Sequence, residues 1–275
     1  MLNTKNYENN FSKHGASIVP LKINYLHMKK IFITFFLIMS LFHATSQTIV
    51  NRDPLIRKMV DAISGENLEL YVRKLVSFHT RHNMSEQNNP ERGIGAAWNW
   101  IKAEMEKNIP QSGGRLSVRF EEYKAGGEGQ RIPQEILLKN VVATLKGINP
   151  DDDRVIVIGA HFDSRAEADN DFTNFAPGAD DDASGIAALL EMLRIMSPVK
   201  FSATIVFIAF SGEEHGLYGS RFMAAKAKQE NWNIIAMLNN DMIGNSGSSE
   251  TLLNDNMRVR VFSEGVPAFE TEQMA

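Results

Sequence analysis

ATIVFIAF at 203–210 runs directly into SGEEHG at 211–216. The first stretch has almost no polar position, which is how a strand covered on both faces reads. It therefore belongs inside a sheet flanked by helices on either side. The second stretch is its opposite: small residues, two adjacent carboxylates and an imidazole. The same change of character comes at GAHFDS (159–164), after the apolar 155–158, and at NNDMIG (239–244), after the apolar 234–238. A fourth cluster, APGADDDASG (176–185), carries three successive aspartates. In open α/β sheets, ligands bind beyond the carboxyl ends of the strands. Charges gathered at such strand ends are costly unless they are paired or bind a metal. The four clusters therefore read as a metal site on the rim of a sheet. Imidazole nitrogens and carboxylate oxygens are zinc ligands, and the absence of cysteine excludes a thiolate site.

Around this centre, strands and helices alternate. Residues 136–145 and 155–158 are apolar and β-branched, separated by the turn-rich GINPDDD of 147–153. Residues 116–123 alternate as a half-buried strand does, and AGGEGQ (125–130) is a flexible connection. Helical spacing marks 54–63 and 68–77, with Asp53 and Asn67 as N-caps, and 94–107, whose apolar face carries Ala97, Trp98, Ile101 and Met105. A further helix begins around Ala183 and buries Ile186, Leu189, Leu190 and Leu193; residues 218–228 form another, and 234–238 read as a second buried strand. FHTRHNMSEQNNPER (78–92) reads as a polar loop, with His79 and His82 solvated or structural. Gly178 and Gly185 flank the acidic run where the backbone must turn sharply to aim Asp181 inward. Alternation without an internal repeat predicts one α/β/α sandwich.

The net charge of -4 offers no broad basic surface, so a nucleic-acid partner is not expected. MKKIFITFFLIMSLFHATSQ (28–47) has Lys29 and Lys30 before an apolar run at 31–42, a signal-peptide pattern. The run is too short to span a bilayer, and Ala44 and Ser46 supply the cleavage region. The expectation is a secreted or periplasmic protein without stable membrane association after cleavage; an uncleaved anchor is the alternative. Met28 then reads as the start, residues 1–27 as a disordered upstream extension, 28–46 as the signal peptide and 47–275 as the catalytic domain.

With its motifs set out, the chain resembles the co-catalytic dizinc aminopeptidases of metallopeptidase clan MH, peptidase family M28, among them secreted bacterial leucine-type aminopeptidases. GAHFDS, PGADDDASG, GEEHGLYGS and NDMIG stand in that family's order, and the likeness runs from Asn51 onward. It implies a zinc-exopeptidase fold, a three-layer α/β/α sandwich with a mixed central sheet. It further implies two zinc ions, with His161 and Asp241 on one, Glu214 on the other and Asp181 bridging both. A bidentate carboxylate suits a bridge because paired metals sit about 3.5 to 4 Å apart. Asp163 would accept the second ring N–H of His161 and fix its tautomer. Glu213 would be the general base, taking a proton from the metal-bridging water and delivering it to the leaving amine. A non-proline cis peptide is implied between Asp181 and Asp182, and His215 is not a ligand in the resemblance. Peptides are the implied substrates, cleaved at their N-terminal residue.

The chain departs from the family in one respect. The second zinc ordinarily takes a histidine well downstream of the last aspartate, whereas no histidine follows His215 here, and the sequence stops 34 residues beyond Asp241 in FETEQMA. The expectation is a catalytic domain lacking its C-terminal part, poorly active alone although the full-length protein is an enzyme. Three other readings stay open: a glutaminyl cyclase or a carboxypeptidase on the same fold, or a binding domain without catalysis. The cyclase is less favoured because it uses one zinc, and the set Asp181, Glu214 and Asp241 suits two. Oligomeric state, side-chain preference and the metal used in the cell are not legible.

Overall fold

A computed structural model describes residues 53–245. The expected extension at 1–27, the signal segment at 28–46 and the terminal FETEQMA stretch lie outside these residues. Helices α1 (Pro54–Asp61), α2 (Gly65–Val76) and α3 (Gly93–Glu106) precede strands β1 (Leu116–Ala125), β2 (Ile136–Leu145) and β3 (Arg154–His161). Then α4 (Ala183–Met196), β4 (Thr204–Phe210), α5 (Tyr218–Gln229) and β5 (Asn233–Asn239) follow.

The five strands form one mixed sheet in the order β1-β2-β4-β3-β5. The β1–β2 and β2–β4 pairs are antiparallel, while β3 pairs parallel with both β4 and β5. The chain moves from β3 to β4 in one direction across the sheet and from β4 back over β3 to β5 in the other. Right-handed crossovers then require the two connecting helices to lie on opposite faces. They do: Ile186, Leu189, Leu190 and Leu193 of α4 pack on one face and Met223 of α5 on the other.

The reading of 203–210 as a doubly covered strand holds residue by residue. Ile205, Phe207 and Ala209 face the cluster containing α2, α3 and α4, and Val206, Ile208 and Phe210 face the cluster beneath α5. Period-two geometry sends alternate side chains to opposite faces, so a strand buried on both must be apolar at every position. The α/β/α sandwich is thus the observed architecture.

Two local expectations are corrected. The N-cap of α2 is Ser64, whose side chain accepts the N–H of Asn67 at 3.2 Å, so the helix starts one turn earlier than Asn67 would place it. Residues 234–238 are a strand but not a buried one: Ile235 is 51% and Leu238 56% exposed. Apolar composition reports strand propensity; cover depends on neighbours, and β5 stands at the edge of the described sheet with β3 as its partner. No helix among the described residues is long and apolar enough to cross a membrane.

Candidate metal centre

Because β3, β4 and β5 are parallel, their carboxyl ends lie along one rim of the sheet. The helices after β3 and β4 depart to opposite faces, which opens a crevice between those two strand ends. His161 is the last residue of β3, and the Glu213–Glu214 pair follows β4.

His161 is buried, and its Nδ1 lies 3.1 Å from the main-chain oxygen of Asp163 and 3.5 Å from that residue's carboxylate. A ring N–H at Nδ1 leaves Nε2 as the outward-facing atom. Three carboxylates converge on it: Asp181 at 3.0 Å, Asp241 at 3.9 Å and Glu213 at 4.0 Å. Burial alone would push the imidazole pKa down, but the bonds to Asp163 and Asp181 outweigh it and push it up to about 12. A metal must displace that proton, since a ligating imidazole is neutral.

The three successive aspartates do three different things. Asp180 Oδ1 accepts the N–H of Gly244 at 2.9 Å and ties this loop to the segment after β5. Asp181 faces His161 and is partly exposed. Asp182 is fully buried and caps α4, with Oδ1 accepting from Gly185 at 2.8 Å and Met242 at 3.3 Å and Oδ2 accepting from His161 at 3.2 Å. The peptide between Asp181 and Asp182 is cis. Among the described residues His161, Asp182 and Asp241 form a group that could hold a metal ion, with ligand atoms within 4.8 Å of one another. Asp182 has both oxygens engaged by backbone N–H groups, however, and Asp181 does not. Asp181 is therefore the better ligand of the two.

The glycines divide. Gly178 has φ +47 for the turn, and a Cβ there would also meet the Asp181 main-chain oxygen at 2.4 Å. Gly185 is different: a Cβ there would meet the Asn240 oxygen at 2.3 Å and the Asp182 oxygens at 2.5 Å. Close approach, and not a sharp turn, requires it.

Glu213 and Glu214 are held through their main chain. The Asp163 carboxylate accepts the N–H of Glu213 at 3.2 Å and of Glu214 at 3.1 Å. Asp163 thus does more than the expected bracing of His161: its nearest atom to the ring is the main-chain oxygen, and its carboxylate serves the glutamate turn. Glu214 Oε2 lies 3.6 Å from the Arg165 guanidinium. Burial, followed by the neighbouring Asp181, pushes the Glu214 carboxyl up to about 7. Burial also raises Glu213 and Asp241. Crowded carboxylates held above their usual range around one imidazole nitrogen are the donor set of a divalent cation site, and these residues fit zinc.

The other histidines among the described residues have partners. His82 and His215 direct Nε2 at one acceptor, the Asp169 carbonyl, at 2.9 and 3.0 Å, and His79 directs Nε2 at the Thr173 carbonyl at 3.0 Å. The surrounding loop was missed as a site element. Thr80, Arg81, His82, Asn83 and Ser85 are all buried, not solvated. No pattern within 78–92 marks Arg81, because its partners at 75, 162, 177 and 178 are brought together only by the fold.

Residues 140–267 match the family model described as Peptidase family M28. A protein named probable zinc metalloprotease from Leptosphaeria maculans is 41% identical over 220 residues, which cover 80% of this chain and 50% of that one. A probable leucine aminopeptidase from Trichophyton verrucosum is 30% identical over 211 residues, 74% of this chain and 52% of that one. The chain thus spans about half the length of the curated relatives it matches. Among solved structures, LapB from Legionella pneumophila aligns with a TM-score of 0.57 at 22% identity, covering 84% of this chain and 56% of that one, a likeness of fold.

Proposed function

We propose that this chain, whose residues 140–267 match the model of Peptidase family M28, is a zinc-dependent metallo-exopeptidase that hydrolyses N-terminal residues from peptides. The observation that carries this reading is the convergence of Asp181, Asp241 and Glu213 on His161 Nε2, all within 4.0 Å, at the carboxyl ends of parallel strands. His161 and Asp241 would hold one ion, Glu214 would serve a second, and Asp181 would lie between them. Zinc supplies a water nucleophile of lowered pKa and polarises the scissile carbonyl.

The protein's own residues do the rest. Glu213 approaches His161 Nε2 but no closer than 4.0 Å, so its carboxylate is free to take the proton of the attacking water and pass it to the leaving amine. Its partly desolvated setting raises its pKa toward the working range of a general base. Asp163 keeps the imidazole oriented and anchors the glutamate turn, so acid, base and ligand keep their spacing. The segment at 28–47 gives this reading an exported protein, to be checked by N-terminal sequencing of material recovered outside the cytoplasm.

The test is metal content by plasma mass spectrometry on the intact protein, together with release of p-nitroaniline from leucine p-nitroanilide. Two zincs per chain with chelator-sensitive release support the exopeptidase. Cyclisation of an N-terminal glutaminyl peptide without release of free residues would replace it with the cyclase reading. Absence of metal and of turnover would leave a binding domain.

A further inference from the structure

The loop between α2 and α3 touches both halves of the candidate site. Arg81 is fully buried, and burial lowers its pKa only to about 10, so it is charged at neutral pH. Its four side-chain hydrogen bonds all go to main-chain carbonyls. Nε donates to Phe162 at 2.6 Å, Nη1 to Leu75 at 3.2 Å and to Pro177 at 2.6 Å, and Nη2 to Gly178 at 2.9 Å. Phe162 lies between His161 and Asp163, and Pro177–Gly178 begins the turn that delivers Asp180, Asp181 and Asp182. One rigid planar fork therefore spans the end of β3 and the aspartate turn. The contact is close enough that a Cβ on Gly178 would meet Nη2 at 2.7 Å.

Asn83 reaches the other half. Its Nδ2 donates to Asp163 Oδ2 at 2.8 Å and lies 2.8 Å from His215 Nδ1. His215 places its Nε2 on the Asp169 carbonyl, which makes Nδ1 the acceptor. Both amide hydrogens are thus used, while the buried Oδ1 has no partner. Turning the amide over would set Oδ1 against the Asp163 carboxylate, so the donor orientation is fixed by charge. The same Asp163 carboxylate carries the main chain of Glu213 and Glu214.

We infer that Arg81 and Asn83 are positioning residues for the metal centre: Arg81 sets the separation of His161 from the Asp181 turn, and Asn83 sets Asp163 and, through it, the Glu213–Glu214 turn. This rests on the metal-site reading above. A merely architectural role would change melting temperature and leave bound metal unaltered. A positioning role changes the coordination itself.

The experiment uses the intact protein loaded with cobalt, whose visible absorption reports ligand geometry, alongside zinc affinity by chelator competition. Arg81→Lys keeps the charge and loses the fork, and Asn83→Ala removes both donations. Arg81→Gln, which keeps a shorter planar donor without the charge, covers the case in which Arg81→Lys does not fold; Gly178→Ala would not, because its Cβ would also meet the Asp181 main-chain oxygen at 2.4 Å. Each Arg81 and Asn83 variant is expected to lower zinc affinity by roughly 10- to 100-fold, the range for residues that orient ligands, and to alter the cobalt spectrum. Asn83→Ala is expected in addition to lower kcat with KM little changed, because the base turn moves. Wild-type affinity and an unaltered cobalt spectrum in folded variants would overturn the inference, whatever the melting temperature. A wild-type protein that binds neither metal would instead defeat the metal-site reading beneath it.

Discussion

Asp163 Oδ2 accepts the backbone N–H of Glu214 at 3.1 Å, while Oδ1 accepts that of Glu213 at 3.2 Å. One buried carboxylate therefore holds the main chain of two neighbouring acids whose side chains diverge, one toward His161 and one toward Arg165. Asp163→Asn would turn one of these acceptors into an amide donor facing an N–H. The expected result is a loss of roughly 10- to 100-fold in turnover and in zinc affinity together. Steady-state kinetics with leucine p-nitroanilide and chelator competition check it, and a variant with normal values in both would remove Asp163 from the site.

Glu213 and Glu214 are adjacent but have separable effects. Glu213→Gln keeps the shape and removes the base, so turnover should fall by roughly 10²- to 10⁴-fold with zinc content unchanged. Glu214→Gln should reduce zinc content. Metal analysis beside kcat distinguishes the two, and equal metal loss in both variants would exchange or merge their roles.

Stability of the metal-free protein should fall as pH rises from about 4 to about 8. Asp182, raised to about 8, and Glu214, raised to about 7, bind protons in the folded state that the unfolded chain has released above about 4. His161, raised to about 12, adds the same sign from about 6.5 upward. Asp163, held below its usual value, acts in the opposite sense and only below about 4, and His82, lowered by burial, opposes the trend below about 6.5 without outweighing the three raised groups. Zinc replaces the protons and should reverse the trend, so its stabilising effect grows with pH. Thermal melts from pH 5 to 8, with chelator and with zinc, test this; a chelated protein that gains stability over that range contradicts it.

Gly185 lies in the first turn of α4, where alanine would otherwise favour a helix. The Asn240 oxygen 2.3 Å from the position of an added Cβ reverses that preference. Gly185→Ala should destabilise the fold by about 1–3 kcal/mol, the usual cost of overpacking, as read by denaturant titration. A neutral or stabilising result would mean that the 240 segment can yield.

Much of this was legible because its determinants are local. The strand at 205–210, apolar at every position and set in the chain between two helices, is covered on both faces, and the run of acids after strand ends marks a rim. Asp163 was assigned to His161 from the spacing of two residues, yet its carboxylate serves the glutamate turn 50 residues away. Arg81 was invisible for the same reason: its partners at 75, 162, 177 and 178 are brought together only by the fold. The exposure of β5 depends on what stands beside it, which no pattern within 234–238 encodes.

Strand β5 has one flanking strand among the described residues, and Asp241 lies just beyond its end. An ion shared by His161 and Asp241 would act as a cross-link, fastening the sheet's margin to its interior. By reciprocity, whatever loosens that margin weakens the ion's grip, and loading the ion slows the margin's opening. Amide hydrogen exchange along Asn233–Asn239 would then serve as a gauge of occupancy, fast in the stripped protein and retarded in the loaded one.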